Sequence, residues 1–493
     1  MTVLTFNEMP MLLTPFEKLI LLSDGPWNPM TFRIVIRLRG VCVPDVFAAT
    51  YQEAIQRHPL LSSRVESSRR GMHWVACSPS PLIVRSCDDI ECDLESPESV
   101  QDGCDSGCEK FLWNGVSVPG LDVQTEPGLR TTLISCPTET MILVDAHHSC
   151  SDGNGVRQFV SDWFHLYDCA IKGIPNRLTA RDQKALLERG SLRSLPPAET
   201  AELPAGAKVE TTGIREKIRN FLHTVRGRTA VLPPRLVTAS AQETTESDSS
   251  RTYCTERRLS GAALDELKNR MQRFGVTVND LLVAVCMREF SQLLPPSAGE
   301  HRVTVLNPVD LRLPSDLQLS AANRVGFAFL RRKMEDCFSA EKLLASIRDE
   351  MHYIKRGRIA GEFLKGLAFA DRIPGGLRAA QKLQLFRPSL QMTCLGDVTR
   401  LPRRLFSSVD GCVQIGDLFL ESVTGLPPVA PDVPFSVSVC LSQKCMTLAV
   451  RSGLRFVDRA ESERFTDNLL RGILGQTEHH SSQKLIGLIS GDR

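Results

Sequence analysis

Hydrophobic and polar positions along the chain change repeatedly between strand-like and helix-like spacing. Apolar and basic residues alternate from Thr31 to Gly40, which predicts a strand with one buried face. The short apolar run from Met141 to Val144 predicts a buried strand. Apolar residues then recur at i, i+3, i+4 and i+7 from Val156 to Tyr167, which predicts an amphipathic helix. The strand and the helix enclose a tight turn with the sequence HHSCSDGNG, a rigid mount for reactive side chains.

The second half of the chain has the same mixed order of strands and helices. One helix there is apolar on most sides and is predicted to be deeply buried. Two neighbouring runs predict a hairpin, and a last amphipathic pattern predicts a closing helix. The ranges are Asp280 to Leu294 for the buried helix, Ala340 to Lys355 for a further helix, Val433 to Cys440 and Cys445 to Val450 for the hairpin, and Arg459 to Leu474 for the closing helix.

The chain length and the mixed order of strands and helices in both halves favour two α/β sandwich lobes of similar size. A chain of 493 residues is too long for one ordinary core. Paired prolines and a polar run separate an N-terminal lobe, 1–185, from a C-terminal lobe, 251–493, through a linker, 186–250. Within the linker, Ile214 to Arg228 forms a basic amphipathic segment. A solvated face is the favoured interpretation, and a membrane surface or a phosphate-bearing donor is the alternative.

The bulk composition is that of a soluble globular protein, with 42% hydrophobic and 24% charged residues. A formal net charge of +2 gives no reason to expect nucleic acid as a partner. No apolar run is long enough to span a bilayer. The N-terminus contains Glu8 and Glu17 and lacks a basic region, so it is a poor signal peptide. We therefore expect a cytoplasmic monomer, with contact to a membrane surface left open.

Sixteen cysteines are spread over the chain, and most lie in apolar runs where a thiol acts as a small hydrophobe. One cluster stands apart, with the spacing C-x4-C-x11-C-x3-C: Cys87, Cys92, Cys104 and Cys108. No pair in it has the C-x2-C spacing common in structural zinc sites. Reduced thiols are favoured over a zinc site, and no bound metal is expected.

The histidine turn carries the strongest chemical signal. Histidine is the usual side chain for taking a proton near neutral pH, so His147 and His148 are both candidate bases. Asp152 either orients an imidazole or fixes the turn by pairing with a distant arginine. We favour the pairing, because a buried aspartate needs a partner and Arg312 follows a strand in the other half. Gly153 lets the backbone approach a substrate closely.

An acyl transfer from a thioester needs only a base and stabilisation of the oxyanion, so no nucleophilic side chain is required. The chain has no G-x-S-x-G, P-loop or dinucleotide-binding glycine pattern. Cys150 lies inside the turn, but as a nucleophile it would need a base beside it. A solvated surface turn capped by Asp152 remains the non-catalytic alternative.

The segment His147-His148-x-x-x-Asp152-Gly153 resembles the HHxxxDG signature of the chloramphenicol acetyltransferase-like acyltransferases. These include the condensation domains of nonribosomal peptide synthetases, alcohol acetyltransferases, polyketide-associated acyltransferases and wax ester synthases. Three more segments agree in order: Glu53 to Val65, Phe274 to Val285 and Asn307 to Arg312. Cys394 to Pro402 is similar to a fifth segment, with Cys394 where asparagine is common.

The resemblance implies two α/β lobes around a central active-site tunnel. It implies His148 as the catalytic base, Asp152 as largely structural and Arg312 as its partner. We expect His147 and Gly153 to support the turn. The expected function is acyl transfer from acyl-CoA or a phosphopantetheine thioester to a small alcohol or amine. These thioesters act as co-substrates, with no bound cofactor and with an acyl carrier protein as a possible partner. The alternatives are a stand-alone condensation enzyme and a non-catalytic binding module of the same fold.

Overall fold

The computed structural model describes residues 9–87, 118–191, 252–294, 302–382, 388–398, 405–409, 411–442 and 444–476. Strands and helices alternate through both halves of the chain, as the sequence pattern predicts. The strands are β1 Met11–Leu12, β2 Thr31–Arg39, β3 Ser63–Ser68, β4 Gly71–Ala76, β5 Ile83–Ser86, β6 Leu129–Ser135, β7 Glu139–His147, β8 Thr252–Ser260, β9 Arg302–Asp310, β10 Val325–Lys333, β11 Leu390–Asp397, β12 Ser408–Val409, β13 Cys412–Ile415, β14 Leu418–Leu426, β15 Phe435–Leu441 and β16 Cys445–Gly453. The helices are α1 Pro15–Ser23, α2 Pro44–Ile55, α3 Gly153–Lys172, α4 Gln183–Leu187, α5 Gly261–Phe274, α6 Val278–Gln292, α7 Ala340–Arg356, α8 Ala360–Asp371, α9 Gly376–Lys382 and α10 Arg459–Leu474.

A seven-stranded sheet forms the centre of the first lobe, in the order β12-β13-β14-β2-β7-β6-β5. Helices α2 and α3 pack against each other through interlocked aromatic rings. The Trp163 ring lies 5.1 Å from Phe47 and 5.2 Å from Tyr51, both in edge-to-face geometry. This buried cluster anchors α3, and α3 in turn positions the histidine turn at its N-terminus.

A six-stranded sheet forms the second lobe, in the order β10-β9-β11-β15-β16-β8. Helix α6 is buried from Asp280 to Ser291, as the predicted apolar segment requires. The predicted hairpin is β15 with β16, which pair antiparallel from Phe435 opposite Ser452. The closing helix α10 begins at Arg459 and ends at Leu474, the predicted bounds. The protein therefore has the mixed α/β class with a sheet in each of two lobes.

One segment of the second half belongs to the sheet of the first lobe. Strand β14 pairs antiparallel with β2, from Phe419 opposite Arg39 to Leu426 opposite Arg33. Strands β13 and β12 extend the same sheet beyond β14. The division into 1–185, 186–250 and 251–493 stays a prediction. Because β12, β13 and β14 join the sheet of the first lobe, the strands of each sheet do not come from one continuous half of the chain.

The expectation of one buried face on β2 is wrong. Every residue from Thr31 to Leu38 is buried, including Arg33 and Arg37. Arg33 is accommodated by a bidentate ion pair with Asp145 on β7, at 2.6 and 2.8 Å. The alternation of charges predicts solvent on one face, but the second lobe covers that face instead.

Some predictions fall on residues outside the described ranges. These are the basic segment Ile214 to Arg228, nearly all of the linker, and Cys92, Cys104 and Cys108. Cys87 lies within the described ranges, half-buried and directly after β5. Across the described ranges, no group of three or more His, Cys, Asp or Glu side chains has a geometry suited to a metal ion. No helix in the same ranges is long and apolar enough to cross a membrane.

Candidate active site

The turn between β7 and α3 is held by its own helix cap. Asp152 is the N-cap of α3, and its Oδ1 accepts a hydrogen bond from the Gly155 N–H at 2.8 Å. A Cβ on Gly155 would lie 2.2 Å from Ser151 Oγ and 2.9 Å from the Ala322 backbone. Glycine is therefore required here for close packing against the second half of the chain.

His148 projects from this turn into a cavity between the lobes. Two phenylalanine rings contact it edge-on, Phe32 at 5.4 Å and Phe16 at 6.3 Å between centroids. Burial lowers the pKa of His148, and it outweighs smaller raising effects from its own carbonyl, Asp152 and Asn323. The imidazole is therefore neutral at pH 7, the form that accepts a proton.

His147 lies on the opposite side of the turn and is fully buried. Its Nδ1 is 2.6 Å from Ser149 Oγ and accepts a hydrogen bond from the Ser149 N–H. Its Nε2 lies 3.6 Å from a carboxylate oxygen of Asp24. His147 does not line the cavity that His148 faces, so its contacts are those of a residue that supports the turn.

Asp152 and Arg312 are brought together across the lobe interface. The guanidinium donates to both carboxylate oxygens, at 2.8 and 3.0 Å. Burial alone would raise the pKa of Asp152, but the charge and hydrogen bonds of Arg312 lower it below its ordinary value. Arg312 also donates to Asp310 and to the Ala322 carbonyl. The motif carboxylate is thus ionised and fully occupied, which leaves it no role as a proton acceptor.

Asn323 holds the histidine turn from the other lobe, and the sequence gives no signal for it. Its Nδ2 donates to the carbonyls of His148 and Ser149, both at 2.9 Å. The next residue, Arg324, donates its backbone N–H to Asp152 Oδ2 at 2.8 Å. The segment before β10 therefore grips the turn at three points. It lies in a stretch without hydrophobic periodicity, where pattern analysis has nothing to detect.

Gly153 and Cys394 lie in the wall of the same cavity. A Cβ on Gly153 would come within 2.7 Å of Leu395 Cδ2, so any larger residue would displace that leucine. Cys394 takes the place where the resemblance expects asparagine, and burial raises the pKa of its thiol. These positions bring β11 of the second lobe against the start of α3.

The cavity at His148 has a volume of about 420 Å³ and is walled by both halves of the chain. On one side it is strongly apolar, with the rings of Phe327 and Phe363 4.9 Å apart. Further apolar side chains complete that wall: Leu19, Ile20, Met30, Leu306 and Val325. An apolar wall beside a neutral histidine suits an acyl chain next to its reacting carbonyl.

Cys150 is unsuited to act as a nucleophile. It is fully buried, and its thiol donates to the carbonyls of His147 at 3.0 Å and Gly128 at 3.3 Å. Burial raises its pKa far above the ordinary range, so the reactive thiolate does not form near neutral pH. The geometry agrees with a mechanism in which no acyl-enzyme forms at this turn.

No protein-family model matches the sequence. Chondramide synthase of Chondromyces crocatus is 28% identical over 152 residues, which are 30% of this chain and 4% of that synthase. The chain therefore matches only a small part of the length of that curated relative.

Solved structures match nearly the whole chain. The first condensation domain of the calcium-dependent antibiotic synthetase, in complex with a substrate analogue, has a TM-score of 0.64 at 11% identity, over 95% of this chain and 96% of that domain. The starter condensation domain of rhizomide synthetase, in complex with C8-CoA and Leu-SNAC, gives 0.61 at 12% identity, over 95% and 94%.

Polyketide synthase associated protein 5 of Mycobacterium tuberculosis gives 0.58 at 17% identity, over 94% of this chain and 98% of that protein. At these identities the likeness establishes the fold alone. The chain has the chloramphenicol acetyltransferase-like fold of condensation domains and related acyltransferases.

Proposed function

We propose that the protein transfers an acyl group from a thioester donor to an alcohol or amine, with His148 as the general base. The observation that carries this proposal is the neutral, half-buried imidazole at the wall of a largely apolar cavity between the lobes. His148 Nδ1 is shielded and has no hydrogen-bond partner among the described residues, which leaves Nε2 as the nitrogen for substrate.

The proton balance needs one base and no metal. The acceptor O–H or N–H gives its proton to His148 as the oxygen or nitrogen attacks the thioester carbonyl. A tetrahedral intermediate forms, the C–S bond breaks, and the imidazolium returns the proton to the departing thiolate. Asp152 stays ionised throughout, because its oxygens are held by Arg312, Gly155 and Arg324. Its part is to keep the turn in place.

The test is turnover of acyl-CoAs of increasing chain length with a panel of alcohols and amines, followed by mass detection of the acylated product. His148→Ala should lower the rate at least a hundredfold, since general-base catalysis contributes about 10²–10⁴-fold. His352→Ala is the matched control, because His352 is an exposed histidine on α7 and lines neither cavity. Equal rates for His148→Ala and wild type would contradict the assignment of the base.

The comparisons favour one variant of this function, condensation of carrier-bound substrates. A relative with sequence similarity is a synthase, and two of the three matching structures named above are condensation domains. Supplying the same acyl group on CoA and on a phosphopantetheinylated carrier protein separates the two. Turnover with acyl-CoA alone favours a stand-alone acyltransferase, and turnover only with the carrier favours condensation. The absence of turnover with either donor would favour the non-catalytic binding module.

A further inference from the structure

A second cavity adjoins the histidine turn, and its wall is rich in arginine. It has a volume of about 480 Å³ and shares Asn154, Asp310 and Arg312 with the cavity at His148. His148 itself does not line it. We call it the basic cavity, because five arginines face three aspartates in its wall: Arg57, Arg157, Arg177, Arg181 and Arg312 against Asp162, Asp310 and Asp316.

Three of these arginines are already neutralised. Arg57 and Arg181 both pair with Asp162, at 2.6 and 2.5 Å. Arg312 is held by Asp152 and Asp310, as described above. The remaining two, Arg157 and Arg177, make no hydrogen bond or ion pair within the described part of the chain. The basic cavity therefore holds two guanidinium groups with no hydrogen-bonded carboxylate among the described residues.

Helix α3 presents a polar face to this cavity. Asn154, Arg157, Gln158 and Ser161 are spaced three or four residues apart, or adjacent, and all line it. Ser161 is 5% exposed, and its Oγ has no hydrogen-bond partner among the described residues. Gln158 Oε1 is likewise buried and unpartnered there. Leaving such buried groups without a partner is destabilising, and a polar ligand would offset that cost.

We propose that the basic cavity binds a phosphate group, with Arg157 as its principal ligand and Arg177 and Ser161 as further donors. Guanidinium N–H groups match phosphate oxygens in a fork-like geometry, and a hydroxyl adds a neutral donor. The two unpaired arginines match the charge of a phosphate better than that of a single carboxylate. The Gln158 oxygen would accept an N–H or O–H from the rest of the ligand.

The partial burial of Arg157 also supports a bound anion in this cavity. Burial lowers the pKa of Arg157, and so does the nearby charge of Arg312, while Asp310, Asp152 and Asp397 oppose this effect only through space, without a hydrogen bond. A half-buried arginine without a carboxylate partner is destabilising by itself, and a bound anion removes that cost. The phosphate has two chemical sources, the nucleotide portion of CoA or the phosphate of a pantetheine arm. The inference concerns binding, and it holds whether or not His148 acts as a base.

The experiment is calorimetric titration of the full chain with phosphopantetheine, CoA and phosphate-free pantetheine. Phosphopantetheine should bind at least tenfold more tightly than pantetheine. Arg157→Gln should weaken phosphopantetheine binding by about ten- to a hundredfold, the loss expected for charged hydrogen bonds. Arg348→Gln is the control, because Arg348 is an exposed arginine on α7 that lines neither cavity. CoA binding tighter than phosphopantetheine identifies the nucleotide as part of the ligand, and equal binding identifies the pantetheine phosphate alone.

The proposal is overturned if pantetheine binds as tightly as phosphopantetheine, if Arg157→Gln binds like wild type, or if neither phosphate compound binds at millimolar concentration. Without ligand, Arg157→Gln should melt no lower than wild type, because it removes an unpaired charge. Arg177→Gln, at an exposed position, gives a second variant with the same expected direction. His148→Ala should retain phosphopantetheine binding. If the wild-type protein shows no acyl transfer but still binds phosphopantetheine through Arg157, only the proposed function is contradicted.

Discussion

Asp152 and Arg312 form a bidentate ion pair across 160 residues of chain, with N–O distances of 2.8 and 3.0 Å. The pair joins the start of α3 in the first lobe to the end of β9 in the second. Both side chains are largely withdrawn from solvent, at 7% and 11% exposure. The position of the histidine turn therefore depends on how the two lobes pack against each other, because this ion pair joins them.

Asp152→Asn should destabilise the protein by on the order of 3 kcal/mol, because it leaves the buried Arg312 charge without its main partner. The cap on Gly155 survives in the variant, since the amide oxygen still accepts. Asp310→Asn is the matched control: it touches the same arginine, but its side chain is 43% exposed, so the expected cost is about 0–1 kcal/mol. Denaturant unfolding measures both. Equal stability of Asp152→Asn and wild type would refute this account of the ion pair.

The acid limb of kcat/KM should fall below the ordinary pH range of a histidine. Burial lowers the pKa of His148, so the neutral base persists as the pH drops below 6.5 and is lost only when the pH passes through the lowered value. A pH–rate profile with a non-ionising acceptor measures this directly. An acid limb with its midpoint at or above 6.5, the ordinary pKa of a histidine, would place the essential base elsewhere.

His58 makes folding sensitive to acid. It is fully buried, and its Nδ1 accepts a hydrogen bond from the Ala321 N–H at 2.8 Å. Burial lowers its pKa to about 4 from the ordinary histidine value of 6.5. The unfolded chain thus binds a proton between these values while the folded chain does not. Stability is full above pH 6.5 and falls as the pH drops towards 4, by on the order of 3 kcal/mol.

Comparison with His58→Gln isolates this contribution, because His148 and His165 also have lowered pKa values and act in the same direction. The wild-type unfolding free energy should drop more steeply than that of the variant between pH 6.5 and 4. Parallel curves would rule out His58 as a source of the acid sensitivity.

Asn323 is a positioning residue for His148. Asn323→Ala removes the donor to two carbonyls of the turn and should cost about 1–3 kcal/mol of stability. Because the turn is no longer fixed by these two hydrogen bonds, His148 is less well positioned, and kcat should fall while KM changes little. Asn323 also raises the pKa of His148, so its loss should move the acid limb to still lower pH. A stability loss with unchanged kcat and pH profile would assign Asn323 a structural role only.

Local features of the fold are readable from the sequence, and long-range ones are not. Helix α10 and the β15–β16 hairpin follow from periodicity, because each is decided by neighbouring residues. The pairing of Asp152 with Arg312 was inferred from a strand-end position and a resemblance. Asn323 could not be inferred, since its function depends on where an irregular segment docks.

The burial of Arg33 and Arg37 is another long-range feature that the sequence pattern does not predict. Alternating charge normally indicates a solvent face, but a covering lobe converts that face into an interface. The basic cavity cannot be predicted from sequence either, because its five arginines come from four separate segments of the chain. Sequence spacing within α3 reveals the polar face of the helix but not what lies opposite.

The passage of β14 into the first sheet limits how substrates can be admitted. Without Leu418–Leu426, strand β2 would expose an open edge of unpaired N–H and C=O groups. Swinging the lobes apart would break the hydrogen bonds that Ser438 and Thr447 of the second sheet donate to carbonyls of β14, as well as the Asp152–Arg312 pair, so wide opening is energetically costly. The size of substrate that the cavity at His148 admits is then set by the side chains that line it, because the lobes around it move little. Replacing those side chains with smaller ones should therefore widen the substrate range more than weakening the contacts between the lobes.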